Sequence, residues 1–141
     1  MKKYTLAFIF NYDLKKVLLI RKNKPVEQAG LLNGVGGKME DFDQTFLDCI
    51  KREVEEETGL VLEKDDFINI GNLTDNEYYI VEIFTAKIED NLINSFEKMT
   101  DEDVVLLDIS DDINKLKQED FSNNGLSILK HCLEHWKNRN L

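Results

Sequence analysis

With 141 residues, 42% of them hydrophobic, seven glycines and one proline, the chain has the size and composition of one globular domain spanning residues 1–141, and a repeat array, a collagen-like fibre or a disordered tail does not fit it. Acidic side chains number 28 against 18 basic ones, a formal charge of −10, which disfavours nonspecific binding to nucleic acid; a phosphate-bearing partner needs metal ions or a local basic patch. Cys49 and Cys132 are too few and too far apart for a disulfide framework and are expected as buried thiols in a reducing compartment.

Met1-Lys2-Lys3 has the charge of a signal-peptide opening. The apolar run Leu6 to Phe10, however, passes directly into Asn11, Tyr12 and Asp13 and lacks the length and cleavage site of an exported leader. No stretch approaches the roughly 18 consecutive apolar residues that suggest a membrane span. The expectation is a cytoplasmic protein, monomeric or homodimeric, with no membrane or nucleic-acid partner.

Tyr4 to Phe10 and Val17 to Lys22 are β-rich runs separated by the turn-forming cluster Asn11-Tyr12-Asp13, which predicts a hairpin. Asn23 to Met39 holds Pro25 and glycines 30, 34, 36 and 37, so the reading is a loop that approaches something closely. Gln44 to Thr58 follows a helical pattern, with Gly59 as its stop. Phe67 to Leu73, Tyr78 to Ile88 and Val104 to Ile109 read as strands. A last helix from about Leu126 to Asn138 carries Leu126, Leu129, Leu133 and Trp136 at three- and four-residue steps. Strands with one central and one terminal helix give an α+β or sandwiched arrangement.

The chemistry concentrates in Gly36-Gly37-Lys38-Met39-Glu40 and in Arg52-Glu53-Val54-Glu55-Glu56-Glu57-Thr58-Gly59-Leu60. At about 100° per residue, Glu53, Glu56 and Glu57 share one helix face, while Leu47, Ile50 and Val54 form an apolar stripe roughly a quarter-turn away. Three clustered carboxylates repel one another more strongly as water is excluded, so a positive charge belongs between them. Hard oxygen ligands suit magnesium or manganese, which bind substrate phosphates directly. A solvated acidic face is the plainer alternative. Gly36 and Gly37 free the backbone to turn and offer carbonyl oxygens or amides.

The glycine turn followed by REVEEETGL resembles the signature of the Nudix hydrolases: Gly, five residues, Glu, seven residues, then Arg-Glu-apolar-x-Glu-Glu-x-Gly-apolar. The likeness is close over Asn33 to Leu60 and looser over the whole chain. From Gly37 to Arg52 there is one residue too many, so the first signature glutamate falls at Asp43 or Gln44, and an extra residue in the loop Glu40 to Asp43 would reconcile the two. The resemblance implies a Nudix-type α/β/α sandwich with a mixed central sheet, a catalytic helix and a C-terminal helix. It also implies hydrolysis of a nucleoside diphosphate linked to another group, with Glu53, Glu56 and Glu57 holding divalent ions (Mg2+ or Mn2+) and Gly37 lending its carbonyl. Glu53 and Arg52 join the expected catalytic set, Arg52 as the residue that orients the glutamates. A general base is expected among Glu97, Asp101, Glu102 and Asp103, of which Glu97 and Glu102 are chosen.

Leu32-Asn33-Gly34-Val35-Gly36-Gly37-Lys38 is similar to the variant in Nudix enzymes that remove oxidised purine nucleoside triphosphates, where the asparagine reads the base. An amide both donates and accepts, as a purine edge requires. Those enzymes place two acids before the terminal helix; here Asn123-Asn124 stand there. Within the basic stretch of residues 15 to 24, Arg21 is the candidate for the phosphates, together with Lys38 beside the glycine turn. The other lysines read as protection of a solvated edge strand.

Other readings have signals of their own. The ADP-ribose subclass carries a proline about fifteen residues past the signature, and the only proline here is Pro25. A dinucleoside polyphosphate hydrolase would use Tyr78, which otherwise packs as a strand residue. His131-Cys132-Leu133-Glu134-His135 fits H-x-x-E-H, a zinc peptidase pattern, but only six residues follow His135 and Cys132 and Leu133 belong to the apolar stripe. A non-catalytic nucleotide sensor on the same fold is a third class, against which the complete carboxylate triad argues.

Overall fold

The structure is a computed structural model and describes residues 1–139. Strand β1 (Lys2–Asn11) pairs antiparallel with β2 (Lys16–Arg21), Ile9 opposite Leu18 and Phe10 opposite Val17. Asn11 ties the turn between them: its Oδ1 accepts from the N–H groups of Lys15 and Lys16 at 3.0 and 2.9 Å. Beyond Leu18 the two strands diverge. Into this fork runs the glycine segment, with β3 (Leu32–Asn33) on β2 and β4 (Val35–Lys38) on β1.

Residues 32 to 38 were expected as loop and are instead largely strand. The pairing places Gly36 opposite Leu6, where a Cβ would collide with the Thr5 carbonyl, and a Cβ on Gly34 would sit 2.5 Å from the Ala7 oxygen. Glycine disfavours strand by local propensity, yet only glycine lets these backbones approach so closely; tertiary pairing overrides the local preference.

β6 (Tyr79–Ile88) runs parallel to β1 along the whole of the latter, β5 (Phe67–Asp75) pairs antiparallel with β6, and β7 (Asp103–Asp108) covers the free edge of β2. The sheet is therefore mixed, in the order β3-β2-β1-β6-β5 with β4 and β7 as branches. Helix α1 (Phe46–Thr58) lies on one face, α3 (Gly125–Arg139) on the other, and the short α2 (Asp90–Ile93) follows β6.

Alternation in the central strands serves two cores. Ala7, Ile9, Leu18, Ile20, Phe84 and Ala86 pack with Ile50 and Val54 of α1. Phe8, Phe10, Val17, Leu19 and Ile83 pack with Leu126, Leu129, Leu133 and Trp136 of α3. Strands buried on both faces read as continuous apolar runs, as Leu6 to Phe10 does. Each large side chain so buried contributes about 1.5–3 kcal/mol.

Helix α1 starts two residues later than the pattern suggested. Thr45 caps it, accepting from the Asp48 N–H at 3.0 Å while Asp48 accepts from the Thr45 N–H at 3.2 Å. It stops at Gly59, whose left-handed φ of 76° and N–H bond to the Glu55 carbonyl close the last turn. Both cysteines are buried free thiols, and burial pushes Cys49 up to about 11 and Cys132 up to about 12.

Candidate active site

One guanidinium organises the acidic edge of α1. Arg52 Nε and Nη2 donate to the two carboxylate oxygens of Asp43 at 3.1 and 2.8 Å, and Nη1 donates to Glu53 at 3.1 Å and to Glu56 at 2.9 Å. Nη2 also reaches the Lys38 carbonyl at 3.3 Å, and the Phe42 ring lies 5.1 Å from the guanidinium carbon. The Arg52 bond holds the Asp43 carboxyl below the usual range, and Asp43 in turn is first among the groups that push the arginine's pKa still higher.

This settles which residue stands where the first signature glutamate would. Asp43 is buried and bonded to Arg52, and its other link is the Glu40 N–H at 2.9 Å; Gln44 is exposed. With Asp43 in that place the five-residue count from Gly37 is kept, and the extra residue of the spacing falls between Asp43 and Arg52.

Beside this clamp, Glu57 is turned inward and accepts from the Gly36 N–H at 3.2 Å. Burial raises its carboxyl to about 8, the nearby Glu53 adds to the rise and Lys22 opposes it. Glu53 is raised by burial too, against the pull of Arg52. Its carboxylate packs on Gly37: a Cβ there would lie 2.7 Å from the Glu53 carboxylate. Glu56, with its side chain 55% exposed, leans to Arg52. Among the described residues no three His, Cys, Asp or Glu side chains converge on one point; Arg52 holds Glu53 and Glu56 to one side. The donor set nevertheless suits a divalent ion: two crowded carboxylates raised by burial, Glu53 and Glu57, and a third, the exposed Glu56, beside a glycine without a Cβ to displace Glu53.

From Glu57, Gly36 and Gly37 a cleft of about 740 Å³ extends past Thr5 and Lys22 to Asn33, Asn123 and Asn124, with Tyr4, Leu6, Tyr79, Val81 and Ile128 among its walls. Three of the residues assigned to substrate, Asn33, Asn123 and Asn124, thus line one cavity with a metal-ligand candidate. Two others do not. Arg21 donates to the Gly30 carbonyl at 2.9 Å, tying down the preceding loop, and neither it nor the exposed Lys38 lines the cleft. Ile20 in β2 and Lys22, the residue just past its end, line the cleft, while Arg21 between them does not. Lys22 was legible as part of the basic stretch; Gln28, Ser122 and Tyr79, which also line the cleft, carried no signal.

The two candidate general bases separate. Glu97 is exposed at the C-terminal end of α1, its N–H on the Thr58 carbonyl at 2.8 Å. Glu102 is buried, accepts from the Asn23 N–H at 2.8 Å and lies 3.8 Å from the Lys22 ammonium. Tyr78 is 71% exposed in the turn between β5 and β6, outside the cleft, which Tyr79 enters instead. His131 and His135 share α3 with the buried Cys132 and belong to no metal-binding cluster among the described residues. No helix there is long and apolar enough to cross a membrane.

The sequence model described as NUDIX domain matches residues 2–119. No relative among curated proteins matches significantly. Among solved structures, a MutT/nudix family protein from Enterococcus faecalis superposes with a TM-score of 0.78 at 14% identity over 97% of this chain and 62% of that one, so this chain spans less than two thirds of its length. A MutT structure from a study of Aliivibrio salmonicida and Vibrio cholerae gives 0.72 at 16% identity, over 95% and 98%. The NUDIX domain of Shewanella oneidensis NrtR, complexed with ADP ribose, gives 0.71 at 18%, over 94% and 86%. At these identities the superpositions establish the fold, an α+β sandwich shared with Nudix proteins, and the match over residues 2–119 establishes that the chain belongs to the NUDIX domain family.

Proposed function

We propose that this chain hydrolyses a nucleoside triphosphate, oxidised purine nucleotides among the candidates, to the monophosphate and pyrophosphate. The observation that carries the reading is the single cleft that joins Glu57 and Gly37 to Asn33, Asn123 and Asn124. It offers carboxylates for metal-bound phosphates and amides for a base in one cavity. Glu53, Glu56, Glu57 and the Gly37 carbonyl are the groups that would hold Mg2+ or Mn2+. Such an ion supplies charge neutralisation on the phosphate oxygens and a more acidic water.

The chain's own residues do the rest. Lys22, between Glu57 and Glu102, is placed for the phosphates, replacing Arg21 and Lys38 in that role. Arg52 and Asp43 position Glu53 and Glu56. Glu102 is favoured over Glu97 as general base because it is buried beside a cleft-lining lysine. Asn33 uses its Oδ1 on the Gly34 N–H at 2.8 Å, which leaves its amide N–H groups for a base.

A second reading, a nucleoside diphosphate linked to another group, such as a dinucleoside polyphosphate, is supported by a further groove of about 340 Å³ that shares Leu73, Asn124 and Ile128 with the cleft and has room for a second moiety. A non-catalytic nucleotide sensor would bind the same ligands without turnover. The deciding experiment is a panel of plain and oxidised nucleoside triphosphates, dinucleoside polyphosphates and ADP-ribose with magnesium, with pyrophosphate and monophosphate detected separately. Triphosphates turning over fastest with release of pyrophosphate supports the first reading. Faster release of monophosphates from the linked substrates supports the second, and tight binding without any product leaves only the sensor.

A further inference from the structure

Of the chain's eight phenylalanines Phe42 alone is exposed, with 70% of its surface open to solvent. A single exposed apolar residue needs no explanation by itself. What sets Phe42 apart is its neighbour: the Arg52 guanidinium carbon lies over the ring, 5.1 Å from its centre. The backbone builds this contact in. The Asp43 N–H donates to the Glu40 carbonyl at 3.0 Å and the Glu40 N–H donates to Asp43 Oδ2 at 2.9 Å, so the turn from Glu40 to Asp43 is closed from both ends. The same Asp43 carboxylate holds Arg52 through two bonds, which fixes the arginine against the turn that carries the ring.

In its own plane the guanidinium has no donor left over. Its five N–H groups find five oxygen acceptors, two on Asp43 and one each on Glu53, Glu56 and the Lys38 carbonyl. Only its faces remain, and a planar cation is attracted by the negative face of an aromatic ring. Phe42 therefore covers one face with a group that attracts the charge and competes with none of the five bonds. The consequence reaches the carboxylates. Nη1 takes Oε1 of Glu53 and Oε2 of Glu56 and leaves the second oxygen of each uncommitted to it, so where those oxygens sit depends on where the guanidinium sits. Phe42 itself does not line the cleft. It occupies the last of the five positions that the signature leaves open between Gly37 and Asp43, so the contact is a feature of this chain.

We propose that Phe42 is a positioning residue: its ring caps the Arg52 guanidinium and, through Arg52, sets the Glu53 and Glu56 carboxylates for a divalent ion. This rests on the reading that the α1 carboxylates hold such an ion. Phe42 acts without touching the ion or the substrate.

The test compares wild type with Phe42→Ala, Phe42→Leu and Phe42→Tyr. Exchange of the Arg52 guanidinium protons with water, followed by NMR in the metal-free protein, reads the cap directly. Calorimetry with magnesium alone reads its effect on the carboxylates. Phe42→Ala should speed the exchange and weaken magnesium binding about two- to five-fold, the size of one exposed contact between a cation and a ring. Phe42→Leu, still apolar but without a ring face, should weaken magnesium binding to a similar degree, and Phe42→Tyr should match wild type. In turnover, kcat of Phe42→Ala should fall at limiting magnesium and recover at saturation, with the nucleotide KM changing less than two-fold. A leucine that restores magnesium affinity as well as tyrosine does would reduce the ring to apolar cover and overturn the proposal. Unchanged proton exchange in Phe42→Ala would overturn it too, as would faster exchange with unchanged magnesium affinity, since the ring would then cover Arg52 without setting its partners. A raised KM with unchanged kcat would place the ring against the nucleotide instead. If wild type binds no magnesium, the metal reading falls and takes this one with it, whatever the exchange rates show.

Discussion

Asp43 and Arg52 are joined by two parallel hydrogen bonds, Nε to Oδ1 at 3.1 Å and Nη2 to Oδ2 at 2.8 Å, with the Asp43 side chain only 3% exposed. The pair fixes the first glycine-rich segment to α1 and leaves Nη1 for Glu53 and Glu56. Asp43→Asn removes the charge that balances a largely buried guanidinium, and a loss of about 2–4 kcal/mol in unfolding free energy is expected. Gln44→Ala, at an exposed position, should change stability by less than about 0.5 kcal/mol. Urea titration of both variants checks this. Because the folded-state pKa of Asp43 is lowered, its contribution is present above pH 3.8 and fades as acid reaches the folded value.

The metal-free protein should show the opposite pH dependence around Glu57. Its carboxyl is raised to about 8, chiefly by burial, against an ordinary 4.5. Between those values the native state keeps a proton that the unfolded chain has released, so stability is full below pH 4.5 and falls as pH rises through 8. Thermal melts in chelator should drop over this window, and Glu57→Gln should flatten the slope. Magnesium should raise the melting temperature more at pH 8 than at pH 6, since it competes with the proton.

Glu56→Gln and Glu57→Gln each keep side-chain size while removing a charged ligand, and turnover should fall on the order of 100-fold or more with the fold intact. Steady-state rates in saturating magnesium, with circular dichroism as the control for folding, decide the matter. Rates within a few-fold of wild type would remove these two residues from the metal site, whereas His131→Ala and His135→Ala should leave turnover unchanged.

Gly36 and Gly37 are adjacent but should fail differently. A Cβ at Gly36 meets the Thr5 backbone, which cannot move without breaking the pairing of β4 with β1. Gly36→Ala should therefore destabilise by more than about 3 kcal/mol. At Gly37 the obstacle is the end of the Glu53 side chain, which can swing aside. Gly37→Ala should fold nearly normally and bind magnesium about ten-fold more weakly, measurable by calorimetry beside a denaturation curve.

Asn33 offers its amide N–H groups to the cleft. Because a site built to hydrogen-bond a substrate group discriminates by leaving its own partner unpaired, Asn33→Ala should reduce the ratio of kcat/KM between purine and pyrimidine triphosphates by about ten-fold while lowering kcat at saturation less than three-fold. A preference order identical to that of wild type would remove Asn33 from the base pocket.

The sequence alone determined whatever is encoded in a local period or a fixed spacing. The carboxylates at positions 53, 56 and 57 share a face because a helix turns about 100° per residue, and the stop at Gly59 follows from its freedom at positive φ. The doubly buried central strands were legible as continuous apolar runs. Tertiary structure decided what depends on partners distant in sequence. That Val35 to Gly37 form strand depends on the fork between β1 and β2 and on the absence of a Cβ on Gly36 against Thr5 and on Gly34 against Ala7. Whether Asp43 or Gln44 meets Arg52 depends on how the chain turns into α1, and whether Arg21 or Lys22 enters the cleft depends on how the chain leaves the end of β2. Ser122 illustrates the limit most plainly. Nothing in its place in the chain singled it out, and only the packed surroundings leave its hydroxyl buried and, among the described residues, without a hydrogen-bond partner, because hydrogen-bond satisfaction is a property of all the atoms around a group and not of its position in the sequence.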